Sequence, residues 1–202
     1  MRIRNLLLLI TLFCLTLPAT AQAQTRHQRG DWYIGFGLGG GLSADYKIDG
    51  DTVTFDDWLK GLDKDSKLSL NFKVGGTIDS KNLLGFDITA VNQTGTAIGV
   101  DALIQINNYF LMWTHFPQEE GAFFRLGGGL SNIMAEVNSS FGDFSDRVNG
   151  QGLLLGVGYA FWLGQSFNLT LNLDHSRQWY SSGAGEPDSS QFTILYLGFD
   201  WY

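Results

Sequence analysis

Three histidines and one aspartate-rich stretch are the groups in this 202-residue chain with the clearest capacity for chemistry. His175 stands between Asp174 and Ser176, the residue types of a base, an orienting carboxylate and a nucleophile. In an extended strand neighbouring side chains point to opposite faces, so these three cannot form a linear relay. A working base and nucleophile need contact at about 2.6–3.2 Å, and neither His27 nor His115 has a nucleophile at a recognisable spacing. Asp45, Asp49, Asp51, Asp56, Asp57, Asp63 and Asp65 supply oxygen ligands of the kind Ca²⁺ accepts. Their spacing lacks the Asp-x-Asp-x-Asp-Gly register and distal Glu of an EF-hand loop, so the stretch reads as a solvated acidic loop. The expectation is no catalytic site, no metal and no cofactor.

The charge balance narrows the partners. The formal charge is -7, with 13 Lys and Arg against 20 Asp and Glu. Nucleic acid is excluded as a partner, because phosphate binding needs clustered cations to displace counterions. Arg2 and Arg4 precede an apolar run, Leu6–Leu17, followed by Pro18 and the small-residue pattern Ala19-Thr20-Ala21-Gln22-Ala23. That is the layout of a secretory signal peptide, expected to span residues 1–23 with cleavage after Ala21 or Ala23. The run is too short for a membrane helix, which needs about 20 residues. The single cysteine, Cys14, lies inside it, so the mature chain, residues 24–202, has no disulfide.

Beyond the leader the elements that position everything else alternate with period two. Trp32, Ile34, Phe36 and Leu38 interleave with Tyr33, Gly35, Gly37 and Gly39. Leu68, Leu70, Phe72 and Val74 repeat the pattern around Ser69, Asn71 and Lys73, and Leu84, Phe86, Ile88 and Ala90 around Gly85, Asp87 and Thr89. A fourth run sets Val100, Ala102, Ile104, Ile106, Phe110 and Met112 against Asp101, Gln105, Asn107 and Tyr109, with Leu103 and Leu111 blurring its parity. Four more follow: Phe124–Leu130 around Arg125, Leu153–Phe161 around glycines, Leu169–Leu173 opposite Asn168, Thr170, Asn172 and Asp174, and Leu195–Trp201 opposite Tyr196, Gly198 and Asp200. Eight such strands, each near the roughly 9–11 residues that cross a bilayer, predict an all-β, eight-stranded, antiparallel up-and-down transmembrane barrel. Odd-numbered connections of about 25, 8, 20 and 16 residues alternate with even ones of about 4, 7 and 5. Long outer loops and short periplasmic turns give that alternation, and the topology sends Trp32, Trp113, Trp162 and Trp201 to one rim as an interfacial aromatic girdle.

The opening Trp32-Tyr33-Ile34-Gly35-Phe36-Gly37, the strand Phe124-Arg125-Leu126-Gly127-Gly128-Gly129 and the terminal Leu197-Gly198-Phe199-Asp200-Trp201-Tyr202 resemble the small eight-stranded outer-membrane β-barrel proteins, the OmpA/OmpX-like superfamily. The resemblance implies a Gram-negative outer-membrane location, contact with outer-membrane lipid and lipopolysaccharide, and insertion by the assembly machinery that reads the aromatic last strand. A barrel of this size is filled by its own side chains. Lys73, Asp87, Asp101, Arg125, Asp174 and Asp200 are expected inside with Tyr33, Tyr109 and Tyr196, where buried charges must pair. In the first long loop Thr54 can cap a short helix on which Trp58, Leu59 and Leu62 share a face, the best candidates for contact with an extracellular ligand. The expected role is a non-enzymatic envelope protein acting through its outer loops. A narrow porin-like passage for small or hydrophobic solutes is the alternative. Weaker ones are a lipid-modifying enzyme using rim His and Ser, and a secreted lipocalin-like barrel, suggested by Gly30-Asp31-Trp32 but short of the surface charge a soluble barrel carries.

Overall fold

The computed structural model describes residues 29–54, 63–97, 99–140, 142–181, 183 and 186–202. The strands are β1 (Trp32–Ile48), β2 (Asp51–Thr54), β3 (Asp63–Thr77), β4 (Asn82–Ala97), β5 (Val100–His115), β6 (Ala122–Ser139), β7 (Gly142–Trp162), β8 (Phe167–Tyr180) and β9 (Pro187–Trp201). Each long strand pairs antiparallel with the next, and β1 pairs with β9 to close the barrel. The short β2 folds back on the far end of β1, from Ile48↔Asp51 to Asp45↔Thr54. Eight strands therefore close the wall, and the ninth is a flap on one of them.

The strands overshoot a bilayer at one end. β7 is 21 residues long, about 69 Å along its path at ~3.3 Å per residue, where a tilted strand needs about 9–11 residues to cross. At the end where β1 begins and β9 finishes the connections are residues 78–81, 116–121 and 163–166. At the distal end β4 meets β5 across residues 98–99 and β6 meets β7 across 140–141. The expected long third loop is thus a ladder, paired without interruption from Leu130↔Gln151 to Ser139↔Gly142. The expected loop between β8 and β9 shrinks in the same way to residues 181–186. Length read as loop is strand, because the apolar alternation that marked each strand changes phase partway along it.

That change of phase organises the molecule. In the half nearer the termini, apolar side chains point out: Phe36, Leu38, Leu84, Phe86, Leu111, Leu126, Leu153, Leu155, Leu197 and Phe199 are all exposed. Above a row formed by Asn92, Asn107, Asn132, Gln151, His175 and Thr193 the outward residues are mostly polar, with exceptions such as Leu103, Met134 and Trp179. The inward ones become apolar there, and Tyr46, Val91, Ile104, Ile106, Ile133, Val148, Phe192 and Ile194 form one buried cluster. The proximal half is built for lipid outside and polar groups inside. The distal half is built as a water-soluble barrel is. β5 shows what this does to parity: Ala102, Ile104, Ile106, Phe110 and Met112 are buried inside, while Asp101 and Tyr109 are exposed on the outer wall. Asp101 and Tyr109 are therefore corrected from interior to exterior, the apolar run around them being the distal core rather than a lipid face.

On β1 the switch is made by one extra residue. Gly41 pairs with Ile194 and Ser43 with Thr193, so Leu42 is bulged out of the ladder. Below it the even-numbered Phe36 and Leu38 face out, whereas above it the even-numbered Ala44 and Tyr46 are buried. A bulge of this kind reverses the facing of everything beyond it. Deleting Leu42 joins Gly41 to Ser43, whose partners Ile194 and Thr193 are already adjacent, so Ala44 and Tyr46 should stay inward and Asp45 and Lys47 outward. The expected outcome is a retained heat-dependent gel shift with no new protease cleavage, and loss of the shift, or cleavage confined to β1 beyond Gly41, would contradict it.

Candidate functional site

The interior is stacked in tiers, and its charged tier lies in the proximal half. Arg125 on β6 reaches across the lumen, donating from Nη2 to Asp87 of β4 and from Nη1 to the Tyr196 hydroxyl of β9. Its Nη1 lies 3.3 Å from Asp174 Oδ2 on β8, and the Tyr196 hydroxyl donates to that same oxygen at 2.9 Å. Lys73 on β3, directly opposite Asp87, extends to Asp200 Oδ1 at 3.7 Å and lies 5.2 Å from the Tyr196 ring centroid. Two cations thus meet three carboxylates, all on residues no more than 5% exposed. Five of the six charged residues expected inside come together, with Tyr33 buried beside them, while Asp101 stands outside.

Glycine makes the room. Gly156 lies opposite Asp174 and Gly35 opposite Asp200, and at each a Cβ would overlap the carboxylate. Removing one partner of a buried ion cluster leaves uncompensated charge in a low-dielectric interior. Arg125→Ala should therefore lower unfolding stability by about 3–5 kcal/mol, read from a urea midpoint. Arg125→Met combined with Asp87→Asn and Asp174→Asn should recover much of that loss. An equal loss in both proteins would sink the ionic account.

Above the ions, Phe110, Met112 and Leu154 pack across the lumen, followed by a stitched polar tier. Ser131 donates to Asn108 Oδ1 at 2.8 Å, Gln178 Nε2 to Ser176 Oγ at 2.9 Å, and Ser190 to Gln178 Oε1 at 2.8 Å. Ser190 is also 2.8 Å from the Tyr180 hydroxyl, and Tyr46 donates to Gln93 Oε1 at 2.6 Å. Burial pushes the Tyr180 hydroxyl from 10.0 up to about 12 and drives Tyr46 in the same direction. A raised folded-state value favours the neutral phenol, so this stability is complete below the unfolded value of 10.0 and is lost as pH rises through about 12. Near-UV circular dichroism should fall across that window, and Tyr180→Phe should move the fall to higher pH. Folded protein in which every tyrosine ionises near pH 10 would contradict it.

The end where β1 begins and β9 finishes is sealed by an aromatic plug that the sequence did not announce. Tyr33, Leu83, Phe116, Phe123 and Ala160 cluster there with Tyr202 against them. Arg29, just before β1, lays its guanidinium 3.7 Å from the Phe116 ring centroid, with Trp162 and Tyr202 at 5.8 and 5.6 Å. It also donates to the backbone carbonyls of Ser80 and Glu119, both at 2.6 Å, tying two turns to the chain entry. Between plug and ions remains a cavity of about 20 Å³, room for a single water.

Of the expected girdle, Trp32 and Trp201 are exposed on the proximal rim, Trp201 stacking with Phe167 at 4.8 Å. Trp113 faces outward beside Phe124, its indole donating to Asn82 Oδ1 at 3.0 Å. Trp162 is corrected: it shares the inward parity of Ala160, pairs with the fully buried Asn168 and packs 5.6 Å from Tyr202 at the plug. His175 faces outward with Nδ1 3.0 Å from Thr193 Oγ1, while its neighbours Asp174 and Ser176 are buried inside. Trp58, Leu59 and Leu62, like His27 and residues 1–23, lie outside the described residues.

The distal wall has a step. β8 ends at Tyr180 opposite Gly150, while β6 and β7 continue as a pair. At the step lies an open groove of about 730 Å³ lined by Leu130, Arg147, Gln151, Trp179, Tyr180 and Glu186. Neither the groove nor Arg29 had a signal in the sequence, since both arise from where strands stop rather than from how residues are spaced.

No protein-family model and no curated protein matches the chain by sequence. Solved structures match by shape. Ail, the attachment invasion locus protein of Yersinia pestis, superposes with a TM-score of 0.53 at 11% identity, covering 86% of this chain and all 100% of that one. Neisserial surface protein A gives 0.52 at 16% identity, over 84% of this chain and 96% of that one. Ail in complex with the heparin analogue sucrose octasulfate gives 0.51 at 14% identity, over 86% and 100%. Identity this low carries the fold alone: the chain has the closed eight-stranded antiparallel barrel fold that these outer-membrane proteins share.

Proposed function

We propose that the chain is a non-enzymatic outer-membrane protein of a Gram-negative envelope, exported behind the leader 1–23, whose distal wall binds an extracellular ligand. The observation that carries this reading is the inversion of the strands. A chain serving only to fill the membrane has no use for a second half with a packed apolar core and a polar exterior. The β6–β7 pair extends furthest, a stiff hairpin rather than a loop. Supporting it, the interior is occupied from the plug through the ion cluster to the distal core, and Ail, of the same fold, has been captured with a heparin analogue. Lipopolysaccharide around the apolar belt and the assembly machinery acting on β9 belong to the same proposal.

The test uses cells of a Gram-negative host lacking the protein. Expressing cells should adhere to heparin-coated or collagen-coated plates about tenfold above the empty-vector control. A variant with residues 136–145 replaced by Asn-Gly joins Ala135 to Asp146, which already pair, through a tight hairpin turn. It should keep the heat-dependent gel shift and lose most of the adhesion. Adhesion at the control level with the barrel intact, together with faster uptake of small solutes, would overturn this reading in favour of the narrow passage.

A further inference from the structure

The step in the distal wall has the composition of a sugar site. Leu130, Gln151 and Trp179 lie directly opposite one another across β6, β7 and β8, forming one outward row. Leu130, 69% exposed, is the last aliphatic group of the apolar belt on β6, and the indole of Trp179 is 37% exposed beside it. The next row carries Asn132 opposite Asn149, and the one beyond it Met134 opposite Arg147. Arg177 shares the outward face of Trp179, its guanidinium 5.4 Å from the ring. An exposed indole face, amides with both donor and acceptor atoms, and flanking guanidiniums are complementary to a pyranose ring bearing an anionic substituent.

The charges strengthen the argument. The chain carries a formal -7, yet neither Arg147 nor Arg177 has a carboxylate at ion-pair distance among the described residues. Arg147 instead rests Nη2 3.5 Å from Met134 Sδ. The acidic residue in the groove, Glu186, is already engaged, accepting the Gly183 amide at 2.5 Å. Two arginines without a carboxylate partner among the described residues, on either side of an exposed tryptophan, are placed for an anion from outside the chain.

We infer that the groove at the end of β8 binds an acidic saccharide, with Trp179 as the stacking platform, Gln151 and Asn149 bonding hydroxyls, Arg147 holding a sulfate, phosphate or carboxylate within it, and Arg177, beside Trp179 but outside the groove lining, reaching a second anionic substituent at its edge. The inference rests on the surface-binding reading above and names its ligand class. Two sources present this chemistry: the sugar headgroups of glycolipid in the same leaflet, which begin where Leu130 ends the apolar belt, and free or foreign glycans.

The experiment takes the full mature chain, refolded in detergent, and titrates sucrose octasulfate and unsulfated sucrose by calorimetry. The sulfated sugar should bind and the neutral one should not. Arg147→Gln with Arg177→Gln, and separately Trp179→Ala, should each weaken binding at least tenfold while the heat-dependent gel shift is kept. Trp113→Phe, on the opposite rim, should leave it unchanged. Equal binding by all four proteins, or equal binding of the two sugars, overturns the site. In vesicles with and without lipopolysaccharide, weaker binding of the probe in its presence supports the site with the leaflet's own sugar as occupant. Undiminished binding supports it with a glycan from outside. Failure here is separable from failure of the wider reading: cells that adhere although the arginine variant binds the probe normally leave surface binding standing and remove this groove, while tight binding by purified protein without any adhesion does the reverse.

Discussion

Each strand of this barrel passes through two solvents, and nearly every other feature follows from that constraint. A strand has two faces and no way to change them except by changing which residue type occupies which parity, or by slipping parity with a bulge. On β4 to β9 the first device is used. Leu195, Leu197 and Phe199 face lipid on β9, and two residues further up Phe192 and Ile194 face the lumen. On β1 the second is used, at Leu42. Because the wall is continuous, all strands must switch at the same height, which is why Asn92, Asn107, Asn132, Gln151, His175 and Thr193 read as a ring around the outside.

The same constraint explains the interior. Within the belt the outer face is committed to lipid, so polarity displaced from it accumulates inside, and the lumen of an eight-stranded barrel is only wide enough for side chains. Charge there survives because partners arrive from five strands: Lys73 from β3, Asp87 from β4, Arg125 from β6, Asp174 from β8, and Tyr196 and Asp200 from β9. None of these pairs is local in sequence, so the network exists only once the barrel has closed. Swapping it for apolar groups of equal volume need not weaken a barrel. What the ions add is register, since Arg125 can satisfy Asp87 and Asp174 together in one alignment of β4, β6 and β8.

Fold and charged tier were legible in the sequence for a shared physical reason. Lipid tolerates almost no polar side chain, so strands such as Leu169–Leu173 and Leu195–Trp201 carry an unbroken outward code, and every charge of opposite parity must point inward. The code failed where that demand lapses. Along Val100–Ile106 both faces are mostly uncharged, and the apolar residues belong to the distal core, so Asp101 fell on the wrong side. Along Ser131–Gly150 water accepts anything polar, and a paired ladder looked like a loop. Trp162 was misplaced for a different reason: tryptophans at strand ends suit an interface, yet the last residue of β7 has inward parity and packs against Tyr202 rather than out to lipid. Contacts made by strand endings, such as Arg29 with Phe116 or the step beside Trp179, have no period to read.

The sealed proximal end bears on what the distal half is for. A solute crossing this barrel would have to displace Arg29 from its ring of Phe116, Trp162 and Tyr202, then separate Arg125 from two carboxylates and a phenol, then pass Phe110, Met112 and Leu154. These barriers are chemically unlike one another and separately anchored, Arg29 to the turns at Ser80 and Glu119 and Arg125 to β4, β8 and β9. Rigidity along the axis has a different use. On the reading proposed above, a hairpin such as β6–β7, anchored in a barrel cross-linked at three heights, would meet a ligand with little conformational entropy left to lose.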